Sequence, residues 1–524
     1  MKKPATADLR IGLHCSSIPR IAALVLGILS CLASADVKPN IIILYADDMG
    51  YGDLGANNPV SKIPTPQLDR LAAQGMRFTD GHTSSGVCSP SRYALLTGRY
   101  HWRDFHRIVD SFDGPAFPPG RLTLPEMLRK KDYSTACIGK WHLGFDWNSI
   151  RLPGRPANSE KHQDYDWSKP FRGGPCDHGF DTYFGDNVIN FPPYAWIEND
   201  RLPAAPDKTF LKSDFTGKPK EGEWECRPGP GRSDWDPYQA LPTLTRRGVD
   251  FIRSRKGRDQ PFFLYFALPS PHAPIIPNDP FDGKSKAGAY GDFVVQTDDS
   301  CGQLLDALRE AGLDQNTIVV FSSDNGPENF AYARDEKSGH WSSAPLRGLK
   351  RDIYEGGHRV PLVIKWPGLT KPGTVSNALI SQIDLMATFA SAVGYDLPDN
   401  AAEDSHDFLP WLKGVSKDSP RTLHVHNTNP KSYAIRRGDW LLVDSKSGYT
   451  SKQPTASWIK KHGAIEGAAT GSQLFNINKD IGQLHDVSSA NPEIVKELKA
   501  ALKTIRDQGH SAPPVASETK PPDR

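Results

Sequence analysis

Uninterrupted apolar runs recur along the chain, and each is short. They are NIIILYA (40–46), PFFLYFAL (261–268), TIVVFSS (317–323) and VPLVIKW (360–366). None alternates polar with apolar, so each predicts a strand covered on both faces. Between them the pattern takes the period of a helix. TPQLDRLAAQG (65–75) carries Thr65 as N-cap, Pro66 at the first helical position and Gly75 as the stop. DSCGQLLDALREAGL (299–313) is a second such segment. Alternation of buried strands with helices predicts an α/β fold, a large and mainly parallel sheet flanked by helices.

The pattern changes around residues 415–425. SYAIRRGDWLLVDS (432–445) holds a Gly-Asp turn between two polar-alternating runs, and QLFNINKD (473–480) follows. In NPEIVKELKAALKTIRDQG (491–509), Ile494, Leu498, Leu502 and Ile505 recur at helical spacing. These predict a smaller C-terminal α+β domain with an antiparallel sheet. The end, SAPPVASETKPPDR (511–524), has the composition of a disordered tail. Residues 145–245 are rich in Pro, Gly, Trp and charge with little periodicity, and predict insertion loops over the functional edge of the sheet. The expected organisation is a leader at 1–35, a catalytic α/β domain at 36–420, an α+β subdomain at 421–510 and a tail at 511–524.

The N-terminus changes the expected compartment. Lys2, Lys3, Arg10 and Arg20 precede the apolar IAALVLGILSCLASA (21–35), and Ala33-Ser34-Ala35 fits a small-x-small cleavage site. The run is too short for a transmembrane helix, and no other segment is long and apolar enough to be one. Secretion or export to the periplasm is the expectation, with lipid anchoring at Cys31 the lesser reading. A formal net charge of +2 gives no bias toward nucleic acid. Beyond the leader stand Cys88, Cys137, Cys176, Cys226 and Cys301, an odd number, so at least one is unpaired in an oxidising setting. Cys137 reads as a buried apolar residue, and Cys176 and Cys226 could bridge a loop.

Candidate chemistry clusters at strand ends. The first apolar run leads into ADDMGYGD, placing Asp47 and Asp48 at its carboxyl end, the edge where open α/β sheets bind ligands. An acidic turn and a pair of hard oxygen ligands for Ca²⁺ or Mg²⁺ are both open readings. TIVVFSSDNGPE repeats the arrangement with Asp324 and Asn325, although Asn-Gly is also a favoured hairpin turn. If both strands share one parallel sheet, four oxygen-bearing side chains converge on one cation. PSPHAP adds His272, CIGKWHLG adds Lys140 and His142, and PLRGLKRDIYEGGHRVP adds Lys350. Together these make an anion-handling site.

Cys88 sits in SSGVCSPSRYALLTGRY (84–100). Ser89-Pro90 reads as N-cap and first helical residue, which puts Cys88 at a helix N-terminus, where an anion is favoured. Arg92 follows about one turn along the same face. A low-pKa thiolate nucleophile is one reading, but thiol hydrolases use His with Asn or Asp rather than a four-oxygen metal site. CSPSRYALLTGR (88–99) resembles the signature of the formylglycine-dependent sulfatases of the alkaline phosphatase superfamily, Cys-x-Pro-Ser-Arg-x-x-x-x-Thr-Gly. The blocks DDMGYGD, GKWHLG, PHAP, SDNG, RGLKRDIYEGGHRVP and LFNINKDIGQLHDV agree in order, over roughly residues 38–510.

The resemblance implies that a maturation enzyme oxidises Cys88 to Cα-formylglycine, whose hydrate is the nucleophile. It implies Asp47, Asp48, Asp324, Asn325 and an oxygen of residue 88 as ligands of Ca²⁺, with Mg²⁺ the lesser choice. Lys140 and Lys350 match the sulfate-binding lysines, and Arg92 supports residue 88. Asp324 is implied to help remove the nucleophile's proton. His272 matches the acid that protonates the leaving alcohol, and His142 the base that releases sulfate from a covalent sulfo-enzyme. A further sulfate contact falls within GFDTYFGDNVINFPP (179–193), where Asp186 and Asn187 are candidates. The expected substrate is a sulfate monoester on a sulfated carbohydrate, with Arg103, His106, Arg107, Arg172, Trp196 and Arg201 as loop residues that could meet it. The alternatives are a phosphonate or phosphate monoester hydrolase on the same scaffold, or a catalytically silent glycan-binding relative.

Overall fold

The computed structural model describes residues 38–450, 452–467 and 471–513. The expected leader, the anchoring reading at Cys31 and the expected tail from residue 514 onward lie outside the described residues. Nine strands form the main sheet. In chain order they are β1 (Asn40–Ala46), β2 (Met76–Phe78), β4 (Ser134–Gly139), β5 (Thr182–Gly185), β6 (Ile197–Glu198), β9 (Phe262–Ala267), β10 (Thr317–Ser323), β11 (Leu362–Lys365) and β12 (Thr374–Ser376). The short β3 (Gly81–His82) pairs with β13 (Ile380–Ser381), and β7 (Lys208–Phe210) with β8 (Gly229–Gly231). The order across the main sheet is β12-β2-β11-β10-β1-β9-β4-β5-β6. The five central strands, β10 to β5, all run parallel.

All seven residues of β1 are buried. Ile41, Ile43 and Tyr45 join the core on one face of the sheet, and Ile42, Leu44 and Ala46 the core on the other. Helices cover both faces. They include α1 (Pro66–Gln74), α2 (Cys88–Thr97), α3 (Ala240–Ser254), α4 (Gly288–Glu310) and α5 (Leu385–Val393). β14 (Leu423–Asn429), β15 (Ser432–Arg437), β16 (Trp440–Val443) and β17 (Gln473–Asn476) make a smaller antiparallel sheet in that order. The last helix, α6 (Pro492–Gln508), contributes Leu498, Leu502 and Ile505 to one apolar cluster with Val425, Ile435 and Leu442. Ala94 of α2 and Tyr100 belong to the same cluster, so the small sheet backs the helix that begins at Cys88.

The α/β class and the antiparallel C-terminal sheet are as the hydrophobic pattern predicts. Three local expectations differ. The run at 360–366 is antiparallel to its neighbours: the connection, although it contains the helix Phe330–Ser338, stays at the carboxyl edge of β10, and β11 re-enters the sheet there with Leu362 beside Ser322. The segment 145–245 is not only loop: β5 and β6 extend the main sheet, and each is too short to show a period. The helix predicted at 299–313 begins earlier, at Gly288.

Candidate active site

The parallel register sets the site. Ala46 lies beside Ser323, Tyr45 beside Ala267, and Gly139 beside Ala267, so four strands end at nearly one level. Backbone hydrogen bonds continue past the ends: Asp324 N donates to the Ala46 carbonyl (3.1 Å), Leu268 N to Tyr45 (2.9 Å) and Lys140 N to Ala267 (2.8 Å). The next residues of each strand therefore leave the same edge side by side. Asp48 turns out of β1 with φ 63°, a left-handed conformation that Asp tolerates better than most residues. Asn325-Gly326 is not a hairpin turn here, since the strand that pairs antiparallel to β10 begins only at Leu362.

All the sequence-predicted acids, lysines and histidines of the centre are brought together and buried. Asp47 Oδ2 accepts from Lys140 Nζ at 2.5 Å, and Asp48 Oδ2 from Lys350 Nζ at 2.7 Å. Asn325 Nδ2 donates to Asp48 Oδ1 at 2.6 Å. Arg92 donates through Nη2 and Nε to Asp324 Oδ2 at 2.8 and 3.0 Å, so this guanidinium is anchored to Asp324 rather than to Cys88. Tyr265 Oη takes a further bond from Arg92 at 3.3 Å. Asp47, Asp48, Cys88 and His272 each offer a ligand atom within 4.8 Å of the others.

Cys88 is the first residue of α2, and Val87, in extended backbone, is the N-cap. The helix thus starts ahead of the Ser89-Pro90 pair. Pro90 still fits, because none of the first-turn N–H groups has an intrahelical partner. The Ser89 hydroxyl instead accepts from Val109 N at 3.1 Å. Every residue of α2 is buried, and Cys88 is 1% exposed. Burial pushes its thiol up to about 12, against the pull of Lys140 and Lys350. The unmodified side chain is therefore a neutral thiol at physiological pH, which weighs against a thiolate nucleophile.

The two histidines differ in tautomer. His142 Nε2 lies 3.0 Å from the Val109 carbonyl, which can only accept, so Nε2 carries the proton and Nδ1 is left bare. That Nδ1 is buried without a partner. His272 bonds the other way, Nδ1 to the Ala273 carbonyl at 2.5 Å, and presents Nε2 at 3.6 Å from Asp48 Oδ2. Burial, then Lys350, hold His272 down at about 3.

Glu328 was not found from the sequence, and Asp186 and Asn187 were named there only as candidates. Glu328 pairs with Arg351 at 2.6 Å and lies 3.6 Å from Lys350 Nζ. Asn187 Oδ1 accepts from His142 N at 3.2 Å, which is a positioning contact for the His142 backbone. Its neighbour Asp186 is buried with both carboxylate oxygens unpartnered, and burial raises it to about 6. Several loop residues are engaged elsewhere: Arg103 forks onto Asp404 and stacks on Trp102, Arg201 meets Asp200, and Arg172 meets Asp177. His106 Nδ1 bonds Asn427 at 3.1 Å, Arg107 pairs with Asp113, and Trp196 stacks on Phe184. The five described cysteines, Cys88, Cys137, Cys176, Cys226 and Cys301, are free thiols, so Cys176 and Cys226 are not bridged, and Cys137 is fully buried.

The donors suit a hard divalent cation. Asp47 Oδ1 and Asn325 Oδ1 are buried with no hydrogen-bond partner, the state in which an oxygen ligand waits for its ion. Carboxylate and amide oxygens favour Ca²⁺ or Mg²⁺ over thiophilic metals.

Known proteins share both the sequence and the fold. The sulfatase family matches residues 39–395. The N-acetylgalactosamine-6-O-sulfatase of Bacteroides thetaiotaomicron is 31% identical over 496 residues, covering 90% of this chain and 93% of its own. Human N-acetylgalactosamine-6-sulfatase is 35% identical, covering 92% of this chain and 88% of its own. A solved sulfatase from the glycosaminoglycan metabolism of B. thetaiotaomicron superposes with a TM-score of 0.75 at 29% identity, over 90% of this chain and 100% of that one. Among the described residues, no helix is long and apolar enough to cross a membrane.

Proposed function

This chain belongs to the sulfatase family and is a sulfuric ester hydrolase, and from that premise we propose that it desulfates a sulfated carbohydrate, with formylglycine formed from Cys88 as nucleophile. The sugar proposed first is 6-O-sulfated N-acetylgalactosamine, the substrate named for relatives at 31% and 35% identity. The observation that carries the reading is the single strand edge. It carries Lys140, four oxygen ligands and two histidines of opposite tautomer, and the loop bearing Lys350 closes on them, beside residue 88 at the start of a helix.

Asp47, Asp48, Asp324 and Asn325 would hold Ca²⁺ together with residue 88. A bound Ca²⁺ supplies Lewis acidity toward the sulfate oxygens, and the oxidised residue 88 supplies a hydrated aldehyde in place of a thiol. Lys140 and Lys350 place two ammonium groups against the developing negative charge. The bare Nδ1 of His142 accepts a proton, and the Val109 carbonyl stabilises the imidazolium through Nε2–H. His272 faces the leaving alcohol with Nε2, which would carry the transferable proton once substrate is bound. An arriving sulfate monoester brings negative charge against that ring and offsets the burial that keeps it neutral in the free enzyme. Asp186 offers an unpartnered carboxylate beside the lysine–histidine segment, suited to a sugar hydroxyl. Export, expected from the leader, would place such an enzyme with extracellular glycans.

The test is sulfate release from N-acetylgalactosamine 6-sulfate, its 4-sulfate isomer and glucosamine 6-sulfate, with matched aryl sulfate and aryl phosphonate esters beside them. Release from the 6-sulfated galactosamine is expected to exceed the others. Turnover of aryl esters alone would remove the carbohydrate reading, and faster phosphonate cleavage would favour the alternative hydrolase. Mass spectrometry of the peptide 78–92 from active enzyme should show the Cys88 thiol replaced by a carbonyl.

A further inference from the structure

A second cluster of ligand-type side chains lies apart from the oxygen donors. His82 in β3, His358 at the end of the helical turn Glu355–His358, and His424 and His426 in β14 pack together at 0–1% exposure. The catalytic scheme uses none of them. The cluster joins three segments that sequence places far apart: the strand leading to Cys88, the turn that follows Lys350, and the first strand of the small sheet.

The hydrogen bonds fix which nitrogens are bare. His82 Nε2 lies 2.7 Å from Asp80 Oδ1, which is also held by Arg436 Nη1 at 2.7 Å. A carboxylate between cations stays ionised and can only accept, so Nε2 carries the proton and the lone pair of His82 is on Nδ1. That Nδ1 is 3.1 Å from His358 Nδ1 and, without a metal, accepts its N–H. His426 Nε2 donates to the Ile353 carbonyl at 2.9 Å, which leaves its Nδ1 bare and unpartnered. His358 Nε2 also has no partner, and neither ring nitrogen of His424 is in hydrogen-bond geometry, with the Thr83 backbone its one favourable polar neighbour. One nitrogen from each of His82, His358 and His424 lies within 4.8 Å of the other two.

So many unpartnered buried nitrogens are costly, about 1–3 kcal/mol for each unsatisfied group. Protonation does not relieve them. Arg359 Nη1 is 3.3 Å from the same Asp80 oxygen, Arg436 is beside it, and the imidazoles would repel one another. Neutral, desolvated imidazoles are good donors to Zn²⁺ and poor ones to Ca²⁺. Two nitrogens of a tetrahedral Zn²⁺ site, at bonds of about 2.0–2.1 Å, stand roughly 3.3 Å apart, close to the His82–His358 separation. The Asp80 carboxylate behind His82 supplies the outer contact that metal-binding histidines commonly make.

We infer that His82, His358 and His424 bind a structural Zn²⁺, separate from the oxygen-lined centre, that pins the Cys88-bearing segment to the small sheet. The two sites are chemically orthogonal: one is all nitrogen, the other mostly oxygen. Calcium therefore does not compete for the histidines.

The test uses the full chain, stripped of metal by chelation and then held in excess Ca²⁺ to satisfy the oxygen site. Zn²⁺ is added, and bound metal is measured after gel filtration, with Co²⁺ as a spectroscopic probe. One equivalent of Zn²⁺, the visible bands of four-coordinate Co²⁺, and a raised thermal midpoint are expected. His358→Asn and His424→Asn should each lose the Zn²⁺ and its thermal shift. Failure of the wild type to retain Zn²⁺ in Ca²⁺, or equal retention by both variants, overturns the site. Should the variants not fold, anomalous scattering at the zinc edge from wild-type crystals decides. A peak among His82, His358 and His424 supports the inference, and a peak only at Asp47 and Asp48 refutes it.

Discussion

His142 and His272 are one chemical group held in two tautomers by which nitrogen meets a backbone carbonyl. The proposed roles give a test at this scale. His272→Ala should lower kcat/KM on sugar sulfates by roughly 10²–10⁴, the span of a lost general acid. The loss should be much smaller on a nitrophenyl sulfate, whose leaving group needs no proton. Equal losses on both esters would remove His272 from the acid role. Asp47, Asp48, Lys140, Asp324 and Asn325 were legible because each follows an apolar strand directly, whereas Lys350 lies in an irregular segment and was marked only by its motif. Glu328 was not legible, and Asn187 was only one of two candidates. They arrive from irregular segments, where their positions depend on contacts that no local pattern encodes. Asp186 could be narrowed only to a stretch, since what marks it is burial without a partner.

At the scale of elements, the strand ends matter more than the strands. Gly139 closes β4 at φ 107°, and a Cβ there would stand 1.9 Å from the Ala267 carbonyl oxygen. Lys140 follows it and must reach Asp47. Gly139→Ala should therefore cost about 1–3 kcal/mol through strain and displace Lys140, so activity should fall further than stability does. A lowered urea midpoint with unchanged kcat/KM would contradict this coupling. The parallel core was legible from continuous apolar runs, because burial on both faces leaves no polar alternation. The antiparallel return of β11 was not, since direction is decided by connection and not by composition. The start of α2 was read late because a proline in the first turn is equally at home one position in or three.

At the scale of the molecule, the small sheet and α6 act as the backing of the helix that begins at Cys88. Leu498, Leu502 and Ile505 are 1%, 2% and 6% exposed, and each buried side chain is worth about 1.5–3 kcal/mol. Their sum is comparable with the whole stability of a domain, roughly 5–15 kcal/mol. A chain ending at Ala490 should therefore lose cooperative thermal unfolding and activity together. An intact thermal transition would show that α6 is dispensable. Acid should act on the same scale. Burial holds His101 at about 3, and His178 and His406 at about 4, all below the ordinary 6.5. Below pH 6.5 the unfolded chain takes up protons that the folded chain does not, so stability is full above that pH and drains away toward pH 4. Each such histidine steepens the fall by about 1.4 kcal/mol per pH unit. Thermal midpoints between about pH 7 and pH 5 should drop accordingly, and a flat profile would contradict the buried neutral state.

The burial of α2 also has a consequence in time. Cys88 is 1% exposed at the head of a helix whose ten residues are all covered. No second protein could grip that segment once the small sheet had closed behind it. If another enzyme oxidises the cysteine, as proposed, it must act before folding, while the strand, the proline and the arginine are still an extended peptide. A chain that folds unmodified would be sealed in that state, and its recovery would require unfolding rather than longer incubation.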